Sequence, residues 1–262
     1  MIIDTHCHLD DEKYIEDLEK VLQNAYEVGV GGVLIPGADI NDLERARQIS
    51  YEKSNVFYAA GVHPYHIDQY DEKILLKYLE DERCIAVGEC GLDYYRLPED
   101  EVQKREEKEK QASVFKAHIE LAKKVKKPLI VHIRDANEDS KKILIENDAF
   151  KIGGVLHCYN SSEHLLELSK HGFYFGIGGV LTFKNAKKLV EVLPKIPLER
   201  LLIETDGPYL SPEPFRGKRN EPAYTKYVVQ KMANILGKSE AEIEGITTSN
   251  ARTLFKAFTK SF

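Results

Sequence analysis

The chain has no tryptophan, only two methionines in 262 residues, and four cysteines that never fall into a CxxC pair. A zinc ribbon, a redox dithiol and a disulfide framework each need cysteines paired at short spacing, so the scattered Cys7, Cys84, Cys90 and Cys158 exclude all three and read as reduced thiols. No apolar run approaches the roughly 18 residues that a bilayer-spanning helix needs. The opening Met1-Ile2-Ile3-Asp4-Thr5-His6 also lacks the basic end and long apolar stretch of a secretory leader, so a cytoplasmic address and no membrane partner are expected. Positive charge is in short supply too. With 37 Lys and Arg against 43 Asp and Glu the net charge is −6, and any nucleic acid has to be held by a local basic patch or by bound metal.

Hydrophobic residues at 42% and charged residues at 31% place the chain among globular proteins and exclude disorder as its main state. Eight short β-branched runs recur along it: Ile2–His6, Gly32–Pro36, Val56–Val62, Ile85–Glu89, Leu129–Ile133, Gly154–His157, Phe173–Ile177 and Leu201–Thr205. Amphipathic segments separate them, among them 12–28, 40–53, 73–80, 103–126, 138–147, 162–171 and 185–193, and 223–236, a short piece from Ser239 and a last helix near 250–258 follow the eighth run. Strand and helix in alternation call for a parallel sheet with helices outside, and eight repeats point to a closed (β/α)8 TIM-type barrel. No Gly/Ser/Pro-rich linker interrupts the pattern, so residues 1–262 are expected to form one domain. The stretch 91–103 is the longest insertion, after the fourth strand.

The chemistry-bearing residues sit at the carboxyl ends of these strands. His6 and His8 end the first, Glu89 the fourth, His132 the fifth, His157 the sixth, and Asp206 follows the eighth. In a parallel barrel those ends share one rim, where barrel enzymes assemble their sites. The two-residue period of an extended chain puts both imidazoles of His6-Cys7-His8 on one face, a spacing that can grip one metal ion. Glu89 ends the apolar run Ile85-Ala86-Val87-Gly88, where an unpaired carboxylate is costly to bury; its two oxygens suit a bridge between two ions. Asp206 can bind a metal and accept a proton from an attacking water. Glu204, two residues earlier, supports the ligands or is a structural acid.

Other histidines divide. His118, His164 and His171 fall on helical patterns away from the rim and read as solvated; His66 lies in a loop. His63, before Pro64, reaches the rim as a substrate contact or as a plain turn residue. Cys90 and Cys158 follow proposed ligands, so strand alternation turns them away. The Pro- and Gly-rich stretch 209–222 is a loop in which Arg216, Lys218 and Arg219 supply positive charge while Tyr209 and Phe215 offer stacking surfaces. Arg134 adds a fork for phosphate.

Taken together, Asp4-Thr5-His6-Cys7-His8-Leu9, Gly61-Val62-His63-Pro64, Gly88-Glu89-Cys90-Gly91-Leu92-Asp93-Tyr94-Tyr95, His132-Ile133-Arg134-Asp135-Ala136, His157-Cys158-Tyr159 and Glu204-Thr205-Asp206-Gly207-Pro208-Tyr209-Leu210 resemble the TatD family of metal-dependent deoxyribonucleases, in the amidohydrolase-like barrel superfamily. Arg216-Gly217-Lys218-Arg219-Asn220-Glu221-Pro222 and Asn250-Ala251-Arg252 complete the likeness, which covers nearly the whole chain. One departure is Tyr159-Asn160-Ser161, where the family usually has Phe and a small Ser/Gly stretch.

The resemblance implies two divalent ions, magnesium, manganese or zinc. His6, His8, Glu89 and Asp206 would hold one, and Glu89, His132 and His157 the other. It also implies hydrolysis of DNA, often from the 3′ end of a single strand, with His63, Arg134, Tyr94, Tyr209, Arg216 and Lys218 as candidate substrate contacts. The same rim chemistry serves an amidohydrolase or lactonase acting on a small molecule, or a metal-stabilised module that binds nucleic acid without cutting it. Against the former, no lysine stands at the end of strand 4.

Overall fold

The structure, a computed structural model, describes residues 1–259. Eight parallel strands pair in chain order: β1 Ile2–Asp4, β2 Val30–Ile35, β3 Val56–Ala60, β4 Cys84–Asp93, β5 Leu129–Arg134, β6 Gly154–Leu156, β7 Phe173–Ile177 and β8 Leu201–Ile203. The sheet closes on itself where Thr5 N–H donates to Ile203 O at 3.0 Å, Asp206 N–H to His6 O at 2.8 Å and His8 N–H to Gly207 O at 2.8 Å. The expected single-domain barrel is what forms. No helix among the described residues is long and apolar enough to cross a membrane.

Around the sheet lie α1 Leu18–Glu27, α2 Leu43–Glu52, α3 Glu72–Leu79, α4 Glu101–Val125, α5 Asn137–Glu146 and α6 Lys187–Val192, followed by α7 Thr225–Leu236 and α8 Glu240–Leu254. Asp100 starts α4 by accepting the Val102 and Gln103 N–H groups, and Ser239 with Glu242 forms a capping box on α8. The segment between β6 and β7 is tighter than an α-helix, a 3-10 turn over Glu163–His171. At the C-terminal end the expected short piece and separate last helix are a single α8, with a 3-10 turn Lys256–Thr259 after it.

Two apolar layers follow from strand alternation. Ile3, Leu34, Phe57, Ile85, Ile130 and Leu202 point inward and pack with Phe255 and Phe258, which close the amino-terminal end of the barrel. The alternate residues, Cys7, Cys84 and Cys90 among them, pack outward under the helices. α8 is tied beneath the barrel by Thr248 Oγ1 donating to Met1 O and by Asn250 Nδ2 donating to Leu198 O and Leu201 O.

Strand β4 runs four residues past its expected end. Residues Gly91, Leu92 and Asp93 pair with β5, and the register advances three residues on β4 (Val87 to Cys90) for two on β5 (Leu129 to Val131). That bulge re-aims Glu89. Gly88 and Gly91 bracket it at φ +141° and +144°, and a Cβ on them would meet Ile130 O at 2.5 Å and His132 O at 2.0 Å. Only glycine allows this approach of β4 to β5.

Candidate metal centre at the barrel mouth

The carboxyl ends of the strands surround a cavity of about 490 Å³ lined by His8, His63, Glu89, His132, His157 and Asp206, with acidic and basic residues higher on the rim. Glu89 is at its floor, 2% exposed. Its two oxygens face different neighbours. Oε2 lies 3.2 Å from His6 Nε2 and 3.8 Å from His8 Nε2, whereas Oε1 lies 2.9 Å from His132 Nδ1, 3.4 Å from His157 Nε2 and 3.7 Å from His63 Nε2. Asp206 completes the first group, with Oδ1 3.7 Å from His6 Nε2 and 3.6 Å from His8 Nε2. It does so from a left-handed turn at φ +57°, which aspartate tolerates better than most residues.

The donor set fits a cation. His6 Nε2 and His8 Nε2 stand 3.3 Å apart inside a pair of carboxylates, and His6, His8 and Asp206, like His6, Glu89 and His157, have ligand atoms mutually within 4.8 Å. Burial, reinforced by His157, holds His6 below its ordinary range, leaving the neutral lone pair that ligation needs. Burial also opposes charge on His8 and His157, but the surrounding carboxylates override it and push them up to about 9 and about 10. Burial would raise Glu89 as well; the charges of His157 and His6 and the His132 hydrogen bond hold it well below the usual carboxylate range.

A second ring of contacts fixes these side chains in place. Glu204, fully buried, accepts the Cys158 N–H on Oε1, and the same oxygen lies 3.3 Å from His157 Nδ1. Asp93 Oδ2 sits 2.9 Å from His132 Nε2, opposite the Glu89 contact. Asp4 takes the Thr205 N–H and hydroxyl at 3.0 and 2.6 Å, and burial pushes it up to about 8. The sequence pattern does not single out Asp93, because the expected fourth strand ends at Glu89. The signal was Leu92-Asp93 continuing it past Gly91.

His63 accepts the Tyr65 N–H on Nδ1 at 3.1 Å, and burial lowers it to about 3. A neutral ring whose Nδ1 lone pair is occupied carries its proton on Nε2, so it presents a donor to the mouth. Arg134 also lines the mouth, its guanidinium 3.8 Å from the centre of the Tyr95 ring, as does Tyr209, whose hydroxyl donates to Asp11 at 3.1 Å. Tyr94 stands outside it, donating to Asp139 at 2.8 Å. Arg216 lies over Phe183 and donates to Ser211 O, Lys218 lies over the Phe215 ring, and Arg219 is held by Asp17 and Glu221.

His118 is a correction. It is fully buried, not solvated: Nε2 accepts the Val62 N–H at 3.0 Å and Nδ1 meets Val114 O at 2.8 Å. Its face of α4 is the one carrying Phe115, Ile119 and Ala122.

A closed parallel barrel with histidines and carboxylates gathered at its mouth is the architecture of a metal-dependent hydrolase. A family model described as TatD related DNase matches residues 3–256. The chain is 44% identical to the uncharacterized metal-dependent hydrolase YabD of Bacillus subtilis over 98% of this chain and 99% of that one. It is 33% identical to TatD of Escherichia coli K12, a 3′-5′ ssDNA/RNA exonuclease, over 97% and 98% respectively. The crystal structure of YJJV, a TatD homolog from Escherichia coli K12, superposes with a TM-score of 0.87 at 28% identity, covering 97% of this chain and 98% of that one. The chain belongs to the TatD family of metal-dependent hydrolases.

Proposed function

We propose that the protein hydrolyses phosphodiester bonds of single-stranded DNA from the 3′ end, with two divalent ions, magnesium, manganese or zinc, held around Glu89. The observation that carries this reading is the division of Glu89 between His6 and His8 on one oxygen and His132 and His157 on the other. The exonuclease activity of the 33% identical E. coli relative supports the choice of substrate. His6, His8, Glu89 and Asp206 would hold one ion, and Glu89, His132 and His157 the second. Bound there, such ions would lower the pKa of a water and offset charge developing on the phosphoryl oxygens.

The chain's own groups do the rest. Burial pushes the Asp206 carboxyl up, but its histidine neighbours hold it low, and this carboxylate accepts the proton of the attacking water. His63 Nε2–H donates to a phosphate oxygen, Arg134 gives that phosphate a two-pronged partner, and Tyr209, 48% exposed, offers its ring to the terminal base. The test is a 5′-labelled single strand incubated with metal-stripped protein and added magnesium, manganese or zinc. A metal-dependent ladder that shortens from the 3′ end is the expected result. An intact strand under every metal, with folded and loaded protein, overturns the reading in favour of ester, lactone or amide substrates.

A further inference from the structure

Charge is segregated around the mouth. The loops after β1 and β2 bring Asp10, Asp11, Asp39 and Asp42 to one rim; His66 Nδ1 lies 3.8 Å from Asp39 and the charge of Arg45 reaches Asp10 and Asp42, but no lysine ammonium or arginine guanidinium is within 4.0 Å of any of the four carboxylates among the described residues. Asp10 is 9% exposed and its Oδ1 has no hydrogen-bond partner. Three strands further round, Arg96 follows β4 and Arg134 ends β5. Neither is in an ion pair among the described residues; Arg96 lies 4.9 Å from the centre of the Tyr65 ring and Arg134 3.8 Å from that of Tyr95, both rings exposed. A guanidinium laid on an aromatic face keeps its edge free for an anion.

This asymmetry matches a chain that is anionic on one side of the cut only. In 3′-terminal hydrolysis the water oxygen bonds to phosphorus and the bond from phosphorus to the 3′ oxygen of the penultimate sugar breaks. The shortened chain leaves with a 3′-hydroxyl, and the terminal unit leaves as a 5′-mononucleotide. Phosphates then extend from the scissile bond only toward the 5′ end. Resting on the nuclease reading above, we infer that Arg96 and Arg134 carry these 5′-ward phosphates, and that the rim of Asp10, Asp39 and Asp42 receives the uncharged 3′-hydroxyl end and repels a strand that continues beyond it. The acidic rim thereby restricts the enzyme to chain ends.

The test compares 5′-labelled single strands ending in a 3′-hydroxyl or a 3′-phosphate, with a circular single strand as the substrate without ends and bis(p-nitrophenyl) phosphate as the substrate without a chain. The wild type is expected to cut the hydroxyl end at least about tenfold faster than the phosphate end and to leave the circle intact. In the D39N/D42N double variant the ratio between the two ends, read within one preparation, falls several-fold. Arg96→Ala raises KM for the oligonucleotide more than it lowers kcat and flattens the dependence of KM on salt. Equal rates on both ends in the wild type, or a ratio unmoved in D39N/D42N, overturns the inference while leaving the nuclease reading standing. Failure to turn over even the small diester, by folded and metal-loaded protein, removes the nuclease reading and this inference with it.

Discussion

At its amino-terminal end the barrel closes on Phe255 and Phe258, with Phe258 meeting Phe57 edge to face at 5.0 Å and no polar group required. At its carboxyl-terminal end it closes on five histidines and two carboxylates, each histidine with a ring nitrogen within 4 Å of a Glu89 or Asp206 oxygen. Both ends are buried, and they differ in what burial asks of their groups. Apolar rings gain from leaving water, whereas charged groups lose solvation that oppositely charged neighbours have to make good. The mouth therefore depends on the charge state of its groups, and the plug does not.

The largest effect expected from breaking this comparison falls on the mouth. Glu89→Ala removes the group shared by the two proposed ligand sets, so turnover is expected to drop by about a thousandfold or more. Metal content by elemental analysis falls with it, while the circular dichroism spectrum stays that of the wild type. Wild-type turnover in this variant would dismiss the bridging assignment. At the other end, Phe258→Ala costs about 3–5 kcal/mol of unfolding free energy in denaturant titration, the usual range for a buried aromatic. Its metal stoichiometry should not change, and a loss of metal in this variant would show that the two ends are not independent.

The same histidines make the mouth sensitive to pH in a way the plug cannot be. In the metal-free protein the pKa values of His8 and His157 are raised from 6.5 to about 9 and about 10. Their stabilising contribution is thus fully present below 6.5 and is lost as pH climbs through those two values. A metal has to displace the protons these rings hold, so metal affinity measured by competition with a chelator rises by about a hundredfold or more between pH 6.5 and 9. A flat affinity across that window would mean that neither ring is a ligand.

What the sequence made legible, and what it hid, follows the same division. The HxH pair is readable because an extended strand has period two, and Glu89 because a carboxylate ending an apolar run needs a partner. Asp93 was hidden by Gly88 and Gly91, which look like a turn in sequence but let the strand continue through a bulge. His118 was hidden by the charge of α4: periodicity reveals a helix, but the stripe of Phe115, Ile119 and Ala122 had to be found among many lysines and glutamates. Arg216, Lys218 and Arg219 form a basic cluster in sequence. In space their partners are Phe183, Phe215 and Asp17, and sequence order alone does not carry that information.

Ligand support gives a smaller and more selective effect. Glu204→Gln keeps the shape of the side chain at His157 but removes its charge, so metal affinity should fall by about 10–100-fold, as for other groups that orient ligands. Stability of the metal-free protein should change far less than affinity. If both fall together, Glu204 is a structural acid and not a support for the site.

The finest distinction lies within the mouth region, between cations that line it and cations that do not. Arg134 faces the cavity from the end of β5, whereas Lys218 sits over Phe215 in the loop after β8. Arg134→Ala should raise KM for an oligonucleotide by about five- to tenfold, since a phosphate loses a two-pronged partner. Lys218→Ala should change it by less than about twofold, the scale of an ordinary surface substitution. Salt separates the two further. If Arg134 touches phosphate, its loss makes log KM against log salt less steep by about one counterion, because fewer cations are exchanged on binding. Lys218→Ala should leave that slope as it was; an equal change in both variants would place the substrate across the loop of residues 209–222 as well as in the mouth.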